Sequence, residues 1–169
     1  DGRRIVTASG DGTARIWTLE ATQPIRLVPD GHENAQLQGY RFSVNGASFS
    51  RDGSRIVTAA SDNFARIWNA PSGKELLRLV GHEGPVWSAV FSGDDRRILT
   101  ASSDQTARVW DAATGKELAR LKGHRGAVFS AAFSSDGGRV VTAGYDGTAR
   151  VWDATSGKQT TELKKNQGS

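Results

Sequence analysis

Neither cysteine nor methionine occurs in the 169 residues. Without thiols there is no disulfide framework, no thiolate nucleophile and no Cys-ligated metal, a composition that suits a reducing compartment such as the cytoplasm. Proline is scarce, at four residues, and aromatic side chains make up only 8%. No apolar run approaches the roughly 20 residues of a helical membrane span, and no charged-then-apolar leader is present. Charge of one sign is nowhere concentrated: 22 basic and 18 acidic residues give a net +4 spread along the length. Such a balance permits an acidic partner without requiring one. Position 1 is Asp and Met is missing, so the chain is expected to be a piece of something longer.

Glycine, in contrast, is abundant at 20 residues, and it falls at regular places. Trp68, Trp110 and Trp152 are 42 residues apart, whereas Trp17 and Trp68 are 51 apart. Gly-His pairs follow the same rule: Gly81-His82 and Gly123-His124 are 42 apart, and Gly31-His32 lies 50 before Gly81-His82. The extra length therefore sits between His32 and Phe49, where ENAQLQGYRFSVNGAS replaces a shorter stretch. A fixed internal period of this size marks a repeat architecture.

Within one period the apolar residues alternate at a spacing of two. VWSAVFS, RRILTASS, TARVWDA and KELARLKG each read as a short strand, and GDD, DQ and ATG between them supply turn residues that tolerate positive φ. Each unit is thus four antiparallel strands, a to d, and no segment carries a helical period. Unit one begins at strand b with GRRIVTAS, so the chain is expected to hold fifteen strands.

Gly-His, a strand b that ends before Asp, and Trp-Asp closing strand c together resemble the WD-repeat β-propeller family, over nearly every residue but the insertion and the last few. The resemblance implies an all-β chain of about four radial blades, part or half of a roughly seven- or eight-bladed ring. The expected single array over 1–169 comprises a partial blade at 1–30, a second at 31–80 with its loop insertion at 33–42, a third at 81–122, a fourth at 123–165 and a tail at 166–169. It further implies that Trp, Thr, His and Asp form a hydrogen-bonded tetrad in each blade. The sets are Thr7, Asp11 and Trp17; His32, Thr58, Asp62 and Trp68; His82, Thr100, Asp104 and Trp110; and His124, Thr142, Asp146 and Trp152. Their repetition once per blade is what structure needs and what a single catalytic centre does not. The three His stand on separate blades and do not converge on one metal, and no cofactor is expected.

Residues that break the repeat are the candidates for function. On the face carrying the d–a and b–c loops, here called the top, they are Tyr40 and Arg41 in the inserted loop, Asn45, Trp87 and Phe129 early in strand a, and Tyr145, which stands where other blades have Gly10, Ser61 and Ser103. On the opposite face Arg4, Arg55, Arg97 and Arg139 recur at the start of strand b, with Lys74, Lys116 and Lys158 in the c–d turns. The expected function is a non-catalytic scaffold that presents its top face to a protein or peptide. The alternatives are an anionic-ligand or nucleic-acid site on the Arg/Lys face and, further off, a propeller enzyme working at the channel mouth. Nucleic acid is disfavoured by carboxylates beside the basic residues and by the lack of interleaved aromatics. No membrane partner is expected, and four blades leave two apolar faces that a homodimer would cover by completing an eight-bladed ring. A further repeated residue, the Arg two before each Trp (Arg15, Arg66, Arg108, Arg150), is expected to pair or stack between blades.

Overall fold

The computed structural model describes residues 4–20, 26–29 and 42–164. Fifteen strands account for the regular structure, with no helix among the described residues: β1(Arg4–Ala8), β2(Ala14–Glu20), β3(Arg26–Pro29), β4(Val44–Phe49), β5(Arg55–Ala60), β6(Ala65–Asn69), β7(Glu75–Leu79), β8(Val86–Phe91), β9(Arg97–Ser102), β10(Thr106–Asp111), β11(Glu117–Lys122), β12(Val128–Phe133), β13(Arg139–Gly144), β14(Thr148–Asp153) and β15(Gln159–Lys164). They form one three-stranded sheet, β1-β2-β3, and three four-stranded meanders in sequence order, β4 to β7, β8 to β11 and β12 to β15. Every neighbouring pair is antiparallel.

The turns follow from residue choice. In the b–c hairpins Gly12, Asn63, Gln105 and Gly147 occupy equivalent positions with φ of 79°, 72°, 69° and 75°. Glycine takes that left-handed conformation without penalty, Asn tolerates it, and Gln105 pays a steric cost there. Asp11, Asp104 and Asp146 close these turns by accepting the amide two residues on.

The core lies between the sheets. Leu99, Ala101, Val109 and Leu121 on one face of blade three pack against Val128, Val140, Trp152 and Ala154 of blade four. Val57, Ile67 and Leu79 meet Val86, Ile98 and Trp110 in the same way, and Ala14 and Ile16 meet Val44, Ile56 and Trp68. Period-two alternation therefore gives every inner sheet two apolar faces, one small and branched, the other carrying the Trp. Each fully buried Leu, Ile or Val adds about 1.5–3 kcal/mol, so the array is held by its joints rather than by any one sheet.

A further regularity sets the top face. Strands a and b pair with a register shift between Val44 and Gly46, between Val86 and Ser88, and between Val128 and Ser130. The extra residue in each bulge is Asn45, Trp87 or Phe129. A bulged residue drops out of the ladder and its side chain is re-aimed, here at the end of the inner strand.

Candidate functional site

In blade three the indole Nε1–H of Trp110 donates to Thr100 Oγ1 at 2.8 Å, and Thr100 Oγ1 lies 2.7 Å from His82 Nε2. His82 Nδ1 is 2.7 Å from Asp104 Oδ2. The Asp104 carboxylate can only accept, so the ring proton of the neutral imidazole sits on Nδ1; Nε2 then accepts the Thr100 hydroxyl proton, and the same hydroxyl oxygen accepts from the indole. Blade four repeats the relay through Trp152, Thr142, His124 and Asp146, with distances of 2.9, 2.8 and 3.0 Å. Blade two keeps Trp68 Nε1 to Thr58 at 2.8 Å and blade one Trp17 Nε1 to Thr7 at 2.9 Å. His32 lies outside the described residues.

Hydroxyl, imidazole and carboxylate in this order have the connectivity of a nucleophilic triad. Access decides against that chemistry: Thr100 and Thr142 are buried, and the indole already occupies the oxygen that would attack. Among the described residues no group of three His, Asp or Glu side chains is placed to hold a metal ion.

The Arg two before each Trp corrects the expectation that it pairs between blades. Arg108 is buried and stays within its own blade: Nη2 meets Asp104 Oδ2 at 3.1 Å and Nη1 meets Glu117 Oε2 at 2.8 Å. Arg66 likewise joins Asp62 and Glu75, and Arg150 donates to Gln159 at 2.8 Å. In blade three, and more loosely in blade four where Arg150 lies 3.7 Å from Asp146, the guanidinium extends the tetrad into a five-membered network. Burial pushes the Asp104 carboxyl up, but bonds from the His82 ring, the Thr106 hydroxyl and the Glu83 amide outweigh it and hold the group well below the usual carboxylate range. Asp146 follows the same balance, with burial opposed by the Arg125 amide, Thr148 and His124.

On the top face each bulged residue reaches the one before its blade's tetrad Asp. Asn45 Nδ2 donates to Ser61 Oγ at 3.1 Å and to the Val86 carbonyl of the next blade at 2.8 Å. Trp87 Nε1 donates to Ser103 Oγ at 2.7 Å. In blade four both members are aromatic: Phe129 meets Tyr145 edge-on, with centroids 6.1 Å apart at 77°. Trp87 meets Phe129 across the joint at 5.8 Å and 61°, so Trp87, Phe129 and Tyr145 form one continuous row. Phe129 is 44% and Tyr145 78% exposed, whereas Trp87 is half-buried. Tyr40 and Arg41 lie outside the described residues. The Asn45–Ser61, Trp87–Ser103 and Phe129–Tyr145 pairing was not foreseen from sequence, although the fixed 16-residue offset between each pair was there to be found.

The opposite face differs from a free basic ring. Arg4 donates to the Gly53 carbonyl at 3.1 Å, Arg55 to that of Asp95 at 2.9 Å and Arg97 to that of Gly137 at 2.8 Å, each crossing into the next blade. The same guanidiniums lie over Phe49, Phe91 and Phe133, 5.1–5.4 Å from the ring centroids. Arg139, in the last blade, is exposed. A cavity of about 280 Å³ between the a–b turns is lined by Arg51, Arg97, Asp94 and Asp136, a mixed-charge surface. The Asp52 carboxyl on this rim is held down at about 2 by the Ser50 hydroxyl and by the Ser54 amide and hydroxyl.

Comparison with known proteins adds three findings. The family model described as WD domain, G-beta repeat matches residues 1–18, 31–69, 73–111 and 115–153. Ribosome assembly protein 4 of Chaetomium thermophilum is 36% identical over 69 residues, and the protein of that name in Saccharomyces cerevisiae 38% over 66. Protein HIR1 of Phaeosphaeria nodorum is 38% identical over 55. These alignments cover 40%, 38% and 27% of the chain but only 12%, 11% and 5% of the relatives, so the chain matches a small part of each. Among solved structures, the computationally designed Ika8 protein superposes on 96% of the chain with a TM-score of 0.78 at 27% identity, and 46% of the designed chain is covered.

Proposed function

The chain belongs to the WD domain, G-beta repeat family, and from that premise we propose that it is a non-catalytic scaffold whose top face holds a protein or peptide partner. The observation that carries this reading is the row Trp87–Phe129–Tyr145. Three aromatic rings in contact, two of them exposed, bring large apolar area at little conformational cost, which is how interface anchors work. Its first member is held by the bond to Ser103, and its second touches both of the others. The inserted loop of residues 33–42 belongs to the same face in this reading and adds Tyr40 and Arg41. Relatives named for ribosome assembly are in keeping with a role in holding other macromolecules, and 1–169 acts as one array.

The competing face has less to offer. Three of its four repeated arginines are engaged with carbonyls and Phe rings of the neighbouring blade, and the carboxyls of Asp52, Asp94 and Asp136 beside them are held below the usual carboxylate range by hydroxyl and amide donors. Two further parts of the proposal are that the chain works in the cytoplasm and that two copies share one ring.

The test is a displayed random-peptide library selected on the whole chain. Selected peptides are expected to lose at least about tenfold in affinity on Phe129→Ala/Tyr145→Ala and to be unchanged on Arg51→Ala/Lys116→Ala. Peptides indifferent to the aromatic pair, or polyanions bound with a steep salt dependence, would remove the top-face reading.

A further inference from the structure

The a–b turns of successive blades follow one plan, and one position in it changes. Arg51, Gly93 and Ser135 are equivalent, 42 residues apart, and so are Gly53, Asp95 and Gly137. The last three share a left-handed backbone, with φ of 69°, 58° and 67°. The carbonyl of each accepts from an arginine of the blade before it. Only Asp95 adds a side chain. Its Oδ1 accepts the amide of Arg51 at 2.8 Å and its Oδ2 that of Asp52 at 3.4 Å, across the joint between blades two and three.

At the joint between blades three and four the same two amides are those of Gly93 and Asp94, and the place of the carboxylate falls to Gly137. Among the described residues neither amide has an acceptor. The cavity of about 280 Å³ lies at this point, between the turn holding Gly93 and the turn holding Gly137. Arg51 reaches its rim, with Nη1 3.5 Å from the Gly93 carbonyl. Successive N–H groups in a turn form a concavity that takes an anion, and a guanidinium beside them strengthens the hold on a carboxylate.

We infer that the hollow between Gly93 and Gly137 is a binding site for a monocarboxylate, held by the amides of Gly93 and Asp94 and by the Arg51 guanidinium. The ligand supplies at this joint what Asp95 supplies at the one before. Its size is bounded by the volume, which stands at the low end of the roughly 300–1,000 Å³ of small-molecule pockets. Its charge is bounded too, because Asp94 and Asp136 line the hollow and would face a second negative group. One oxygen of each is already bonded, Asp94 Oδ1 by the Ser92 hydroxyl and the Arg96 amide, Asp136 Oδ1 by the Ser134 hydroxyl and the Gly138 amide. Asp52 holds the same place beside Asp95, and there the two amides are filled nonetheless. The site is independent of the top face.

The experiment titrates the whole isotope-labelled chain with sodium acetate, against sodium chloride at matched ionic strength, and follows backbone amide resonances by NMR. Those of Gly93 and Asp94 are expected to move and saturate with a Kd on the order of 1–10 mM, and to move far less in chloride. Gly137→Asp restores the carboxylate at a backbone angle that Asp95 already adopts, so both resonances start displaced and ignore acetate. Its Cβ would come within 2.7 Å of Arg97 Nη2, a flexible side-chain end that can turn aside, and Arg55 keeps its bond to the Asp95 carbonyl beside such a Cβ. Asp95→Gly is the converse: the amides of Arg51 and Asp52 gain an acetate response that the parent chain lacks. Arg51→Ala weakens binding at Gly93 by at least about fivefold. A blocked peptide with one Glu separates the two sources of a carboxylate. Binding at least about tenfold tighter than acetate assigns it to a protein chain, equal or weaker binding to a free acid, and either upholds the site. Resonances of Gly93 and Asp94 that stay still up to on the order of 100 mM acetate, or that move equally in chloride or in Gly137→Asp, overturn it. Succinate bound more tightly than acetate overturns the restriction to one carboxylate.

Discussion

Replacing Thr100 by Val removes one hydroxyl at nearly constant volume, and its effect follows from the relay. Thr100 is 0% exposed and satisfies two buried groups, the indole N–H of Trp110 and Nε2 of His82. Each group left unpaired costs about 1–3 kcal/mol, and the added methyl returns under about 1. Taking about 1.5–2 kcal/mol for each group, the net loss is about 2–4 kcal/mol. Thr7→Val makes the same chemical change at an exposed site, where only Trp17 is bonded and water replaces the hydroxyl, so it costs under about 1 kcal/mol. Repeat arrays can unfold in parts, so the assay is native-state hydrogen exchange read on β9 and β10 for one variant and β1 and β2 for the other. Thr100→Val is expected to speed exchange of the blade-three amides by roughly 30- to 700-fold. Equal effects at the two sites would refute the claim that burial, rather than the hydrogen bond as such, sets the value of the tetrad.

Arg97→Ala removes a carbonyl bond and a ring contact across a joint and should cost about 1–3 kcal/mol, against under about 0.5 for Arg139→Ala; urea midpoints that move equally would contradict the role of Arg97 as a staple. Asp104 and Asp146 are held below the ordinary range near 3.9 in the folded chain, so their stabilisation is complete above about pH 4 and is lost as pH falls through their lower folded values. Asp104→Asn should therefore flatten the fall of thermal midpoint between about pH 4 and 2, and an unchanged slope would count against it. Gln105→Gly relieves the left-handed backbone at an exposed turn, with an expected gain of about 0.5–1 kcal/mol in chemical denaturation; a loss would mean that the Gln side chain contributes more than its backbone costs.

Much of this architecture was legible before any coordinates. Period-two alternation and Gly- or Asp-containing turns locate strands because side-chain direction is set locally, and β8 to β11 differ from the strings read in sequence only at their ends. The family resemblance supplied the Trp–Thr–His–Asp relay. What stayed hidden was everything that depends on which blade a side chain faces. Arg108 and Arg97 are both repeated arginines with carboxylates nearby, yet one closes a network inside its own sheet and the other reaches 40 residues ahead into the next. Nothing in a linear period separates those cases. Bulging was equally invisible: a one-residue shift at Trp87 takes it out of the ladder and brings its indole to Ser103, whereas unbroken alternation would leave it paired.

The strand pairing and the sequence period are out of phase, and this has a consequence for how such a chain can lengthen. The matched segment 73–111 begins with β7, the outer strand of one sheet, and continues through β8, β9 and β10 of the next. Copying one period therefore never yields a free-standing unit. Each copy arrives with a strand already hydrogen-bonded into its predecessor through the β6–β7 type of ladder. The copies overlap like roof tiles, each nailed down by the one that follows. An array built this way can gain or lose whole periods while every internal seam stays covered, and any mismatch is pushed to its two ends.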